Sequence, residues 1–142
     1  MADPLSIIAS VAGLLDIAAR TSAGVIQLIE DWKDAPKQVH FLSEEINMSQ
    51  QVAQQLKDLC DTLDEHSFNN MRGSAIAIMT QLNRAKPVWT ELEELVQSVR
   101  ISAKSKINNA RWLRKAGRVV ALQVKLREIR LSTLEILAIH NA

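Results

Sequence analysis

A chain of 142 residues can bury a hydrophobic core as one domain, 1–142, without help from disulfides or metal. Its hydrophobic residues make up 47% with only 4% aromatics and no Tyr, and no period-two run or Asn-Gly or Asp-Gly turn marks a hairpin; this excludes a β fold and predicts an all-α helical bundle. The net charge of +1 hides a division: residues 1–71 hold four Lys/Arg against eleven Asp/Glu, and residues 72–142 hold thirteen against five, so the halves attract within one molecule or between copies.

The chain opens on the stretch from Leu5 to Trp32, which is uncharged from Leu5 to Leu15. Asp3 is a good helix cap and Pro4 suits the first turn, where its missing amide proton costs nothing. Leu5, Ile8, Ala12, Leu15, Ala19, Ser22, Ile26 and Ile29 step by threes and fours and predict one buried helix face. Its roughly 28 residues span about 42 Å, more than the roughly 30 Å of a bilayer's hydrocarbon core. The segment is therefore either the centre of a soluble bundle or a membrane intruder. Asp16 and Arg20 weaken it as a permanent span and form a favourable i, i+4 pair instead. A secretory signal would want a basic start, and this one begins at Asp3 and Pro4. Ser6 and Ser10, Ala9 and Gly13, and Ala19 and Ala23 repeat small residues four apart, a spacing that admits a close neighbouring helix inside the domain or outside it.

Pro36 disfavours helical geometry at Ala35, and Asp34 can cap a second helix over about 36–65. Val39, Leu42, Ile46, Val52, Leu56, Leu59 and Leu63 form its inner row, opposite Glu44, Glu45, Gln51, Gln55 and Lys57. Cys60, the only cysteine, forms no internal disulfide, fits a reducing cytoplasmic location and reads as a small buried apolar residue. Residues 66–70 read as a loop in which Ser67 or Asn70 caps a third helix. That helix carries Met71, Ile76, Ile78, Met79 and Leu82, kinks near Pro87, and resumes with Val88, Trp89, Leu92, Leu95, Val96 and Val99. Residues 102–109 are a polar turn. The fourth helix, capped by Asn108 or Asn109, begins with Arg111, bends near Gly117 and runs to about Ile139, with Val119, Leu122, Leu126, Ile129, Ile136 and Leu137 inward and Lys125, Arg127 and Arg130 pointing elsewhere.

His40, His66 and His140 are dispersed, with no metal-ligand spacing, no phosphate-binding glycine loop and no nucleophile elbow. Glu44 with Glu45, and Glu91, Glu93 and Glu94, match helix surfaces better than an acid/base dyad. The chain is expected to be non-enzymatic, with no cofactor, no metal and no small-molecule substrate. Arg111, Arg114, Lys115 and Arg118 lie at i, i+3, i+4 and i+7, one basic stripe with Trp112 beside it. Such a stripe suits an anionic membrane surface at about 1 kcal/mol per basic residue, or is an ordinary solvated face. Nucleic acid is not expected, because no binding motif or interleaved aromatic series accompanies it.

The opening Met1-Ala2-Asp3-Pro4-Leu5-Ser6-Ile7-Ile8-Ala9-Ser10-Val11-Ala12-Gly13-Leu14-Leu15, followed by Lys33-Asp34-Ala35-Pro36-Lys37, resembles the N-terminal domain of fungal STAND proteins. These are fungal NOD-like receptors, often with NACHT and ankyrin or related repeats downstream. The segment from Arg111-Trp112-Leu113 through Leu126, Leu131, Leu134 and Leu137 resembles the end of the same domain. The resemblance implies a HeLo-like helical bundle similar to the four-helix executioner domain of necroptosis, serving programmed cell death or heterokaryon incompatibility. It implies an oligomer formed on activation, recruitment to the plasma membrane, and a membrane-inserting or partner-binding segment at Leu5, Ile8, Ala9, Ala12, Gly13 and Leu15. In that reading Leu5, Ile8, Leu15 and Ile29 are buried in the resting bundle. The alternative is an interaction module that docks copies of itself or another helical domain through opposite charges, with no membrane step.

Overall fold

The computed structural model describes residues 4–62, 72–102 and 108–141. Four helices account for nearly all of them: α1 (Pro4–Asp31), α2 (Lys37–Thr62), α3 (Arg72–Ser102) and α4 (Asn108–Asn141). No strand occurs among the described residues. The all-α fold and its four main helices are as the sequence predicts. The capping roles of Asp3, Ser67 and Asn70, and the inward position of Leu63 and Met71, lie outside the described residues.

Each helix exists because its apolar residues recur at helical spacing and meet a neighbour. α1 packs against α2 and α3, and α4 packs against the same two. The helices therefore stand as a square with α1 and α4 at opposite corners. Arg20 of α1 meets Glu93 of α3, and the position of Gly24 meets Val96 and Arg100, so α1 and α3 run in the same direction. Arg118 of α4 meets Glu91, and Lys115 meets Ser98, so α4 runs back along α3. Between α1 and α2 the chain turns tightly: Trp32 N–H donates to Leu28 C=O, Ala35 N–H to Trp32 C=O, and Val39 N–H to Pro36 C=O.

A single core cluster takes residues from all four helices, with Ile7, Leu28, Leu42, Ile46, Ile78, Trp89, Leu92, Leu122 and Leu126 fully enclosed. At its upper end Trp32 and Trp112 meet edge to face, with ring centroids 6.1 Å apart, a favoured aromatic geometry. A Cβ at Gly24 would lie 3.1 Å from Val96 Cγ1, so the missing side chain lets α1 and α3 sit close without displacing that valine.

α3 continues as one helix through Pro87, and α4 through Gly117. The proline leaves the carbonyl of Asn83 without its usual helical donor. Both Asn83 and Pro87 face solvent, so water can take that place and the helix need not stop. Ile76, expected in the core, is exposed, while Ala75 and Ile78 beside it are buried.

Two assignments from the sequence reverse in α2 and α4. Glu45, expected on the polar face of α2, is buried, and Arg130, expected to point away from the core, reaches it. Arg130 Nε and Nη2 donate to the Glu45 carboxylate at 2.7 and 3.1 Å, and Ser49 Oγ donates at 2.9 Å. The pair sits at the edge of the α2/α4 seam, where each side chain's aliphatic stem packs inward and its charged head finds a partner.

Candidate functional site

The first candidate surface is α1. Its buried row is Ile7, Val11, Leu14, Ala18, Thr21, Val25 and Leu28, one position away from the row that the sequence reading buried. Leu5 is 79% exposed and Ile26 50% exposed. Ile8, Leu15 and Ile29 are only half-buried against the rim of the core, and Ala9, Ala12 and Gly13 are exposed. The expectation that Leu5, Ile8, Leu15 and Ile29 are enclosed in the resting bundle is thus corrected. The physical reason is that α1 carries two adjacent apolar rows about 100° apart, and only one can face the centre of a four-helix square.

All six proposed insertion or docking residues, Leu5, Ile8, Ala9, Ala12, Gly13 and Leu15, accordingly fall on the outer or rim side. Ala9, Ser10 and Gly13 line a groove of about 490 Å³ between α1 and α3, closed at one end by Asp16 and Arg20 and on the far wall by Leu82, Asn83 and Lys86. A Cβ at Gly13 would meet nothing within 4 Å, so packing inside the protein does not demand this glycine. α1 is the one helix among the described residues long and apolar enough, by length and composition alone, to cross a membrane.

Arg20 clamps this helix to its neighbour. Its guanidinium donates to Asp16 one turn earlier, as the spacing predicts, and to Glu93 of α3 at 3.3 and 3.4 Å. The hydrogen bond to Glu93, helped by the Asp16 and Glu93 charges, holds the guanidinium pKa above its ordinary value. The clamp is solvent-exposed, so water and salt screen it and it steadies the contact only weakly.

The second candidate surface, the basic stripe of α4, is less open than its spacing implies. Arg118 is held by Glu91, with contacts from 2.6 to 3.0 Å, and Lys115, half-buried, donates to Ser98. Arg111 is also engaged. Trp112 is not beside the stripe on the surface; it is buried, with its indole N–H unpartnered. Only Arg114 of the four stands exposed without a contact among the described residues. Glu91 and Glu93, two residues apart on α3, thus reach opposite ways, to α4 and to α1.

A groove of about 790 Å³ lies between α3 and α4 and is lined by Arg84, Lys86, Arg118 and Lys125 among Glu91, Glu94 and Glu128. Among the described residues no group of three or more His, Cys, Asp or Glu could hold a metal ion. Cys60 is buried, and that burial, with the Asp61 charge beside it, pushes its thiol up to about 11. A thiol in that state is protonated and weakly nucleophilic near neutrality.

A protein-family model described as pigment biosynthesis cluster protein PigL N-terminal matches residues 2–115. No curated protein and no solved structure matches the chain.

Proposed function

The chain belongs to the pigment biosynthesis cluster protein PigL N-terminal family, and from that premise we propose that it is a non-enzymatic helical signalling or effector domain. In this reading it acts when clustered, from the cytoplasm, by engaging the plasma membrane through its first helix, in the manner of a fungal NOD-like receptor's HeLo-like domain. The observation that carries the reading is the second apolar row of α1: Leu5, Ile8, Ala12, Leu15 and Ile26 lie on the outside or the rim of a helix long enough to span a bilayer. Such a row offers a first contact to lipid before any helix has moved.

Full insertion is a second, costlier step. Ile7, Val11, Leu14, Val25 and Leu28 are buried, and burying each large apolar side chain stabilises by about 1.5–3 kcal/mol, so withdrawing the five costs on the order of 10 kcal/mol. A solitary molecule therefore keeps α1 in place, and lipid together with neighbouring copies must offset the loss. Dye release from anionic vesicles tests the first contact. Leu5→Glu combined with Ala12→Glu alters only exposed positions, so the variant folds. Release falling to background supports the reading, and release equal to the parent's defeats it.

A second reading, an interaction module without a membrane step, is favoured by the Arg20 clamp, which ties α1 to α3 through Glu93. On that reading the same outer row docks a partner helix, and vesicles leave the protein unchanged.

A further inference from the structure

α4 is apolar on two opposite sides. Its inner row, Trp112, Val119, Leu122, Leu126, Ile129 and Leu137, is the bundle core. On the reverse side Leu113, Val120, Val124, Leu131, Leu134 and Ala138 fall on a regular four-three repeat, completed by Gly117 and Arg127. Leu113 is 73% exposed, Val124 51% and Leu131 46%, while Leu134 is half-buried. A repeat of seven held from 113 to 138 covers more than three heptads, or about 38 Å of helix. Folding the bundle uses none of this seam's exposed members.

We propose that this outer seam of α4 docks against the same seam of a second copy of the chain, with the two helices antiparallel and crossing near Val124. The charges beside the seam select the partner and its direction. Arg114, Glu128 and Glu135 flank it at the same heptad position, and neither Arg114 nor Glu135 holds an ion pair among the described residues. Arg114 and Glu135 stand ten and eleven residues on either side of Val124. An antiparallel crossing there brings each Arg114 to Glu135 of the other copy, twice by symmetry. A parallel, in-register pair would instead stack Arg127 on Arg127 inside the seam, a like-charge contact that the antiparallel arrangement staggers. Gly117, for which a Cβ would meet nothing within 4 Å, leaves room for the larger side chains of the second copy.

This interface rests on the proposed function only in supplying the clustering that it calls for, and the two are read separately. Sedimentation equilibrium of the 142-residue chain from low to high micromolar concentration tests it. The parent is expected to dimerise, and Val124→Glu with Leu131→Glu, both exposed positions, to remain monomeric with unchanged helical circular dichroism. Arg114→Glu and Glu135→Arg are each expected to weaken the dimer by about tenfold, and the two together to restore it, since each symmetric interface holds the pair twice. A parent that stays monomeric throughout, or a charge swap that fails to restore the dimer, overturns the proposal. A dimer that releases no dye from vesicles defeats the α1 reading alone, and dye release by a strict monomer defeats this one.

Discussion

Replacing Arg130 by Met probes the buried ion pair that fastens α2 to α4. Glu45 is only 4% exposed and takes two hydrogen bonds from Arg130 and one from Ser49. After Arg130→Met its carboxylate keeps Ser49 alone. Breaking one side of a buried pair costs about 3–5 kcal/mol. The Arg130 side chain is itself 14% exposed, so water can enter where it stood, and the lower end, about 3 kcal/mol, is expected. Glu45→Gln keeps the shape and leaves the unpaired charge on Arg130, nearer the surface, for a loss of about 1–2 kcal/mol. Glu45→Leu with Arg130→Met removes both charges and should return to within about 1 kcal/mol of the parent, because the desolvation of the pair is relieved along with its attraction. Urea unfolding followed by circular dichroism measures this: with a slope of about 1–3 kcal/mol per molar, a 3 kcal/mol loss moves the midpoint by about 1 M or more. A double variant no more stable than Arg130→Met alone would refute the reasoning, since removing the stranded carboxylate would then have relieved nothing.

Gly13→Ala should stabilise the protein by about 0.5–1 kcal/mol, seen as a higher melting temperature, because the helix gains propensity and the new methyl meets open space; a loss would show that packing needs the glycine. Cys60 should resist alkylation near neutral pH until the protein unfolds. Its folded pKa is raised, so below the ordinary thiol range both states stay protonated and no stability is lost. As pH rises towards about 11 the unfolded thiol ionises first, and native stability falls by up to about 3 kcal/mol. Cys60→Ala should lack that part of the alkaline decline, and an identical slope in parent and variant would contradict it.

The four helices were legible in the sequence because their apolar spacing and the Pro36 break are local signals. Which row of α1 is buried was not. Ile7, Val11, Leu14 and Ala18 compete with Ile8, Ala12, Leu15 and Ala19 at identical spacing, and only the neighbouring helices decide between them. Gly24 meets Val96 of α3, but a lone glycine inside a helical pattern does not say which neighbour comes close to it. The Glu45 and Arg130 pair was invisible for a related reason: 85 residues separate the partners, and no local pattern announces that two charges will be enclosed together. The basic stripe was read correctly as one side of a helix, but its partners Glu91 and Ser98 belong to α3. The outer seam of α4 was there to be counted, in the four-three steps from Leu113 to Ala138, and was masked by the equally regular inner row.

If α1 leaves the bundle to enter lipid, a reversible tether between α1 and α3 must switch its action off and on. The Cβ position of Gly24 lies 3.1 Å from Val96 Cγ1, close enough for a disulfide between cysteines at the two positions. In a Cys60→Ala background, Gly24→Cys with Val96→Cys would lock α1 to α3 when oxidised and free it when reduced. Dye release from anionic vesicles is expected to be absent from the oxidised protein and restored by reductant. Equal release from both forms would contradict the account.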